Sequence, residues 1–328
     1  MGLQVSPDGF AAIKMTALGN PALLERWSTA RVEIAALFGR IQADAAAADG
    51  PTYTTEDGEN ALDWPAFLRG YESLFNVPDE EGLRRAFDRH ASTHSHINAD
   101  EVSSNGVEEE PVMVLDALEW CAALDVRDMA GMAAHCRHPG PFTAAALDEG
   151  EQALVMRMVE RVEGLAQLAS VEGVRLMIDA EHSYFQPAID QLVVELQRKY
   201  NAKAGGVAPI IFNTYQCYLK DAGPKVDAHI ALAEREGWHF AAKLVRGAYM
   251  QLERTRSETL GLADPIHDTL NDTHACYDDA ISTILRRNAV SSGASAPNLL
   301  VATHNQASIE HTGAFPQYFP TTFRLLFD

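Results

Sequence analysis

The chain has 328 residues, with 46 acidic side chains against 26 lysines and arginines, so its formal net charge at pH 7 is −20. So negative a charge argues against a nucleic-acid-binding protein, because contacts to phosphates require clustered basic side chains. The apolar fraction of 47% is enough for a buried core, yet no apolar run reaches the ~18 residues of a membrane-spanning helix. The four cysteines are widely spaced without a Cys-x-x-Cys pair, which argues against a disulfide scaffold or thiolate zinc site and fits a reducing compartment.

In chain order, the first predicted element is a strand over 10–15. Asn20 and Pro21 follow it as the N-cap and first residue of a helix. Apolar residues of this helix recur every three or four positions, which predicts one buried face. That face consists of Leu23, Leu24, Trp27, Ala30, Ile34 and Leu37.

The next segment is strongly acidic. Residues 44–128 contain 20 acidic residues and five arginines, so 15 of the 20 net negative charges lie there. This change in composition predicts an insertion over 46–139, which separates 1–45 from the rest of the scaffold.

Helices and strands alternate after the insertion. Thr143 is predicted to cap a long helix that ends near Ser170. Further helices are expected over 187–200, over 226–236, where Gly237 ends the helix, and over 272–288. The strands between them are expected over 174–179, 209–213, 240–245 and 299–303. Short, continuously apolar strands separated by helices predict a parallel sheet covered by helices, either a (β/α) barrel or a doubly wound sheet.

Polar side chains lie at or just after the carboxyl end of every predicted strand. This edge of the sheet is where α/β proteins build their sites. Its repetition at five strands favours a functional site over a set of helix caps. The residues are Lys14, Thr16, Asp179, Glu181, Asn213, Gln216, Lys243, Arg246, Tyr249, Thr303, His304 and Asn305.

Five segments at these strands resemble the eukaryotic proline dehydrogenases. They are AIKMTALGNP (12–21), LMIDAEHSYFQPAI (176–189), IIFNTYQCYLKDA (210–222), AAKLVRGAY (241–249) and VATHN (301–305). The resemblance covers 9–45 and about 140–310 in the family's order. It implies a (β/α)8-type barrel that binds FAD, and the lack of a Gly-x-Gly-x-x-Gly motif agrees with a flavin bound to a barrel.

The resemblance also implies a reaction, the oxidation of L-proline to Δ1-pyrroline-5-carboxylate in the catabolism of proline to glutamate. A hydride passes from the ring carbon next to nitrogen to the flavin, and the electrons then pass to a quinone. This implies a mitochondrial location with peripheral membrane association, although no targeting peptide is visible in the chain. Such chemistry requires cations for the substrate carboxylate and a site that excludes water.

Three residues match the family's substrate site. Lys14 is similar to the lysine near the substrate carboxylate. Asp179 resembles the carboxylate that lines the pocket, and Tyr249 resembles the aromatic wall against which the proline ring packs.

Five residues match the family's flavin site, and no metal ligand is implied. Gln216 resembles the flavin-contacting glutamine, and Lys243 occupies the position of a cation near flavin N5. Arg246 resembles the cation at the ribityl or phosphate region, followed by Gly247, where the backbone approaches closely. Thr303 and His304 resemble the flavin-binding turn.

The sequence departs from the family after Asn305. The family's barrel continues for two more strands and a helix that carries an arginine pair for the substrate carboxylate. We therefore expect an incomplete barrel of about five strands, truncated at both ends, made of 1–45 and 140–309 and followed by a non-matching tail over 310–328. Because an incomplete barrel exposes strand edges, we expect this chain by itself to be an inactive fragment.

Two stretches of the insertion, 55–66 and 90–101, resemble EF-hand loops, so we expect it to be mostly helical and EF-hand-like. Calcium requires several carboxylates and a glutamate at the twelfth position. The first stretch has Ala66 there, and the second has His90 and His94 where acidic residues belong. Calcium is therefore not expected to bind well. His90, His94 and His96 are interpreted as part of a polar loop, with a transition-metal site as the alternative.

Two other functions stay open. A barrel lyase would use Lys14 or Lys243 as a Schiff base, which bound flavin would argue against and borohydride trapping would reveal. A calcium-responsive interaction module built on the insertion is the second, and a calorimetric titration of 46–139 with calcium tests it.

Overall fold

The computed structural model describes residues 9–47, 53–54, 60–77, 79–94, 112–124, 129–203, 208–291, 298–315 and 324–325. The chain forms two compact units, of which the first consists of Met1–Pro21 and Arg157–Asp328 and the second of Ala22–Met156. Among the described helices, none combines the length and the apolar composition that crossing a membrane requires.

The strands, in chain order, are β1 (Phe10–Ile13), β2 (Tyr53–Thr54), β3 (Asn60–Asp63), β4 (Ser92–His94), β5 (Val112–Asp116), β6 (Arg175–Ile178), β7 (Ile211–Gln216), β8 (Ala241–Val245), β9 (Asn298–Val301) and β10 (Arg324–Leu325). The α-helices are α1 (Pro21–Ala47), α2 (Trp64–Leu74), α3 (Glu80–His90), α4 (Ala117–Ala123), α5 (Met129–Ala134), α6 (Pro141–Ala145), α7 (Glu149–Glu172), α8 (Gln186–Tyr200), α9 (Ala222–Glu236), α10 (Met250–Leu260), α11 (Leu270–Ser291) and α12 (Gln306–Gly313). A 3₁₀ helix covers Met15–Ala17.

The first unit is built on a parallel sheet in the order β1-β6-β7-β8-β9-β10. Its first five strands confirm the five strands predicted from the sequence. The central strand β7 is buried along its whole length, which explains its continuously apolar start. The sequence predicts about five strands, whereas the described residues contain a sixth, β10, inside the predicted tail. The two residues of β10 pair with Leu300 and Val301, and so short a strand leaves no pattern in a sequence.

The strand β7 is longer than predicted, because its last three residues are polar and resemble a turn in the sequence. Thr214 donates its hydroxyl hydrogen to the carbonyl oxygen of Ile178 at 2.7 Å. The hydroxyl of Tyr215 lies 2.8 Å from Nδ1 of His229. These bonds satisfy the polar groups inside the core, so the strand continues to Gln216.

The helices predicted over 187–200, 226–236 and 272–288 correspond to α8, α9 and α11, whereas α10 and α12 were not predicted. Gly237 ends α9 with a φ of 73°, the left-handed conformation expected of a glycine at this position. One face of α8 is apolar and buried, and it consists of Ile189, Leu192, Val193 and Leu196.

The prediction that Thr143 caps a long helix is wrong. Thr143 lies within the short helix α6, and α7 begins at Glu149. Asp148 accepts a hydrogen bond from the amide of Glu151 at 2.8 Å, and the Glu151 carboxylate accepts one from the amide of Asp148 at 3.0 Å. This reciprocal cap is a stronger start signal than a single threonine.

The second unit contains a four-stranded antiparallel sheet in the order β2-β3-β5-β4, which the sequence interpretation missed. Leu62 of β3 lies opposite Leu115 of β5. Phe67 of α2, Phe87 of α3 and Trp120 of α4 are fully buried. The ring centres of Phe67 and Trp120 lie 5.0 Å apart.

The EF-hand-like hypothesis stays a prediction. Of the two proposed loops, 55–59 and 95–101 lie outside the described residues. The strands at their edges, β3 and β4, do not pair with each other, because β5 lies between them. The predicted boundaries at 45/46 and 139/140 both fall within the second compact unit, and they too stay a prediction.

Candidate functional site

The carboxyl ends of the parallel strands bring the predicted residues to one edge of the first unit. Lys14 follows β1, and its Nζ donates a hydrogen bond to the hydroxyl of Tyr249 at 3.5 Å. Tyr249 is the N-cap residue of α10. This hydrogen bond raises the pKa of Lys14 above its ordinary value, and the carboxylates of Glu181 and Asp179 raise it further. The exposed side chain of Lys14 therefore stays protonated and places a positive charge at this edge of the sheet.

Asp179 and Lys243 form an ion pair next to it. Asp179 comes directly after β6, and its Oδ1 accepts a hydrogen bond from Nζ of Lys243 on β8 at 2.9 Å. Both side chains are largely buried, at 24% and 19% exposure. The amide of Asp179 also donates to the carbonyl oxygen of Ile13 at 2.8 Å, which holds the ends of β1 and β6 together.

Glu181 is a buried carboxylate to which the sequence interpretation assigned no role. It accepts hydrogen bonds from the amide and the hydroxyl of Thr16 at 2.9 and 2.5 Å. Gln216, at the end of β7, donates its side-chain amide to the backbone carbonyl of Glu181 at 2.7 Å. Only the strand-end position of Glu181 was visible in the sequence, since its partner Thr16 is 165 residues away.

Arg246 forms a second group with residues of α11, β9 and α12. Its guanidinium donates to Nδ1 of His274 at 2.9 Å, to the hydroxyl of Thr303 at 2.6 Å and to the hydroxyl of Ser308 at 2.8 Å. It also lies 4.2 Å from the ring centre of Tyr277. His274, Tyr277 and Ser308 were missed, because helical spacing alone does not distinguish them from ordinary polar positions.

Gly247 fills a place that has no room for a side chain. Its φ is 135°, and a Cβ there would lie 2.4 Å from the ring of Tyr218. The Tyr218 amide donates to the carbonyl oxygen of Arg246 at 2.7 Å. The ring of Tyr218 therefore excludes a side chain at position 247, and the close approach to a flavin that the resemblance implies at Gly247 stays a prediction.

A third group adjoins Tyr249. The ring of His182 lies 4.2 Å from that of Tyr249, centre to centre. The buried carboxylate of Glu253 accepts from the amide and the hydroxyl of Ser183, both at 2.6 Å. These bonds fix the segment after Asp179 beside α10. Neither His182 nor Glu253 was recognised from the sequence.

The predicted residues thus fall into two groups on one sheet edge. Lys14, Tyr249, Asp179 and Lys243 belong to the first, and Gln216 is tied to it through Glu181. Arg246 and the buried Thr303 belong to the second. His304 is exposed, and the structure describes no hydrogen bond between it and either group.

A family model described as "Proline dehydrogenase" matches residues 76–317. The match begins inside the predicted insertion, and it includes 310–317 of the predicted tail. The mitochondrial proline dehydrogenase 1 of Homo sapiens is 34% identical over 314 residues, which are 93% of this chain and 47% of the relative. That of Caenorhabditis elegans is 32% identical over 311 residues, 92% of this chain and 44% of the relative. The chain spans about half the length of these curated relatives.

Other similarities are partial. A hydroxyproline dehydrogenase of Xenopus laevis is 35% identical over 165 residues, 50% of this chain and 34% of that protein. The solved structure of proline utilization A from Bdellovibrio bacteriovorus has a TM-score of 0.43 at 19% identity, covering 49% of this chain and 16% of that chain. That of Bradyrhizobium japonicum has a TM-score of 0.42 at 22% identity, with the same coverage. The family match and the human relative together show that this chain belongs to the proline dehydrogenase family.

Proposed function

We propose that this chain carries the FAD and substrate site of an enzyme that oxidises L-proline to Δ1-pyrroline-5-carboxylate and passes the electrons to a quinone. The proposal rests on the family membership and on one observation. This observation is the meeting of Lys14, Tyr249, Asp179 and Lys243 at the carboxyl edge of a parallel sheet. We further propose that this sheet is the wall of a (β/α)8-type barrel.

The second group of residues fits the anionic part of FAD. None of the three hydrogen-bond partners of Arg246 within the described residues is a carboxylate. Its positive charge is therefore available for a phosphate, while its planar guanidinium is already held in place. Gln216 and Lys243 offer FAD further hydrogen-bond donors, and they lie closer to the first group of residues. When bound, FAD supplies the hydride acceptor, and the residues named here bind and orient it.

The first group fits the amino acid. The protonated Lys14 offers its charge to the substrate carboxylate, and the ring of Tyr249 offers an apolar wall to the pyrrolidine ring. The carboxylate of Asp179 holds Lys243 in place and adds a negative charge that offsets the cations around the pocket. These positions orient the ring carbon next to nitrogen, which is what a hydride transfer requires.

The surroundings of Lys14 and Lys243 argue against the Schiff-base lyase alternative. A Schiff base requires a neutral amine, which enzymes obtain by lowering the pKa of a lysine. The pKa of Lys14 is raised by its hydrogen bond with Tyr249. The ammonium of Lys243 is paired with Asp179.

The names of the relatives suggest where the protein works. The human and nematode relatives are both called mitochondrial. We propose the same location, with peripheral attachment to a membrane where the quinone is reached.

The test is a titration of the 328-residue chain with FAD, followed by the flavin fluorescence. The readout is binding rather than turnover, because the chain spans about half the length of its curated relatives. We expect saturable binding of FAD, which Arg246→Lys weakens by roughly 10–100-fold. The reason is that a lysine ammonium cannot keep the three hydrogen bonds that hold the planar guanidinium in place. Lys14→Met should leave FAD affinity unchanged and weaken binding of L-proline to the oxidised complex.

Lys220→Met is the matched control, because Lys220 lies in an exposed ion pair with Asp268. Hydroxyproline is titrated beside L-proline, since one relative carries that name. Lack of FAD binding, or borohydride trapping of a carbonyl compound on Lys14 or Lys243, would overturn the proposal.

A further inference from the structure

A cavity of the first unit is lined by one cysteine, with a second, buried cysteine behind it. The cavity has a volume of about 500 Å³ and is lined by residues of α9 and α11 together with His267. Cys276 of α11 lines it and is partly exposed. Cys217, directly after β7, is fully buried. Cys276 packs against the buried cluster that includes Tyr218 and Leu219, the two residues after Cys217. The thiols of Cys276 and Cys217 lie within hydrogen-bonding reach of each other.

Backbone hydrogen bonds fix the segments that carry His267 and Cys217 next to each other. Leu219 and Ile266 form an isolated antiparallel bridge. The amide of His267 donates to the carbonyl oxygen of Tyr218 at 2.9 Å. The segment that carries His267 is therefore tied to the segment that carries Cys217, and His267 is placed against the thiol of Cys276.

The surroundings favour a thiolate at Cys276. The hydrogen bond from Cys217 lowers the pKa of Cys276 to about 6, burial opposes this, and His267 and the backbone of Gly223 lower it further. The same contact, together with burial, raises the pKa of Cys217. The other charged groups nearby are Arg246 and Asp278 beside Cys217, and Lys220, Asp227, Asp272 and Asp279 around the cavity.

We propose that Cys276 and Cys217 are a peroxide-reactive pair that closes to an intramolecular disulfide. The thiolate of Cys276 attacks one oxygen of hydrogen peroxide, the O–O bond breaks, and a sulfenic acid forms while the departing hydroxide takes up a proton as water. The sulfur of Cys217 then attacks the sulfenic sulfur, the S–S bond forms, and the S–O bond breaks. A second water leaves with the thiol proton. Two thiols lose two electrons in total, and one peroxide is reduced to two waters.

A disulfide between Cys217 and Cys276 would join the end of β7 to α11, and both elements position residues of the candidate site. Cys217 is adjacent to Gln216, whose side chain holds the backbone of Glu181. Cys276 lies between His274 and Tyr277, both of which contact Arg246. Oxidation would therefore link β7 to the helix that orients Arg246. The thiol reaction itself needs no flavin, so it stands or falls independently of the proposed function.

The experiment treats the reduced 328-residue chain with hydrogen peroxide near equimolar amounts. Remaining thiols are blocked, and tryptic peptides are mapped without reduction. We expect a peptide pair linked through Cys217 and Cys276 and lighter by two hydrogens than the separate peptides. At pH 7, Cys276 should react at least about tenfold faster than Cys136, because a low thiol pKa raises the thiolate fraction more than it lowers nucleophilicity.

Cys136 is the internal control, since it is also partly exposed but burial raises its pKa. In Cys217→Ser, a sulfenic acid should accumulate on Cys276 and be trapped by dimedone. If that variant does not fold, the pH profile of iodoacetamide alkylation of the unaltered chain decides, with an expected midpoint of about 6 at Cys276. An alkylation midpoint near the ordinary ~8.5 of a free cysteine, a missing linked peptide, or equal rates at Cys136 and Cys276 would overturn the proposal.

Discussion

Lys243 and Asp179 form their ion pair across an intervening strand. Asp179 directly follows β6 and Lys243 lies on β8, with β7 between these strands in the sheet, yet Nζ of Lys243 and Oδ1 of Asp179 are 2.9 Å apart. Next-but-one strands lie roughly 10 Å apart, so only a side chain as long as lysine reaches a neighbour two strands away. The pair therefore ties three strands together at the edge where the candidate site lies.

The first prediction concerns the energy of this pair. In Lys243→Met, the partly buried Asp179 loses its cation. We expect the free energy of unfolding to fall by about 1.5–3 kcal/mol, the range for a hydrogen bond to a charged group. Urea denaturation measures it. Lys220→Met is the control, because the side chains of Lys220 and Asp268 are 47% and 82% exposed, and it should change stability by less than about 1 kcal/mol. Equal effects in the two variants would contradict the role of burial.

The second prediction compares two glycines with positive φ. Gly247→Ala places a methyl group against the ring of Tyr218, whereas Gly237→Ala meets nothing within 4 Å. Gly237→Ala should cost about 1 kcal/mol through its backbone conformation alone. Gly247→Ala should cost about 2–4 kcal/mol, since overpacking is added to it. Thermal unfolding of both variants checks the order, and the prediction fails if Gly247→Ala is the milder change.

The third prediction concerns acid stability. Burial by itself would raise the pKa of Asp190, but Lys225, His229 and the amides of Asn213 and Gln186 outweigh it, so the pKa lies below its ordinary value. Because the pKa is lower in the folded than in the unfolded chain, the carboxylate stabilises the fold above pH ~4. This stabilisation is lost as the pH falls through the folded-state pKa.

Stability of the unaltered chain should therefore fall more steeply between pH 5 and 3 (roughly one unit either side of the unfolded carboxyl pKa) than that of Asp190→Asn. Urea midpoints at several pH values provide the measurement. Asp264→Asn is the control, because Asp264 pairs with Arg254 at 39% and 38% side-chain exposure. A slope that is unchanged in Asp190→Asn would refute the assignment.

The fourth prediction tests the start of α4 in the second unit. Asp116 accepts hydrogen bonds from the amides of Leu118 and Glu119 at 2.9 and 2.8 Å, and Glu119 accepts one from the amide of Asp116 at 2.9 Å. Asp116→Ala leaves buried amides without acceptors and should cost about 2 kcal/mol. Asp79→Ala removes a single exposed cap on Gly82 and should cost about 1 kcal/mol or less. Differential scanning calorimetry of both variants separates the two values.

Much of the first unit could be predicted because its signals are local. An apolar run followed by a polar residue identified each of the five main strands and its carboxyl end, and Gly237 identified the end of α9. The sheet of the second unit was missed because this local signal is absent there. Its strands β3 (Asn60–Asp63) and β4 (Ser92–His94) contain polar residues, so no continuous apolar run distinguishes them within an acidic segment.

By itself, the sequence determined which residues stand at the carboxyl ends of the parallel strands and, through long motifs, the family of the chain. The tertiary structure alone decided which of them meet. Lys243 pairs with Asp179, which is 64 residues away in the chain. Arg246 donates hydrogen bonds to His274 and Ser308. Cys217 contacts Cys276. Periodicity records which face of an element is buried, whereas these contacts depend on how helices and strands distant in the chain are packed. That is why the residue types were visible beforehand and their partners were not.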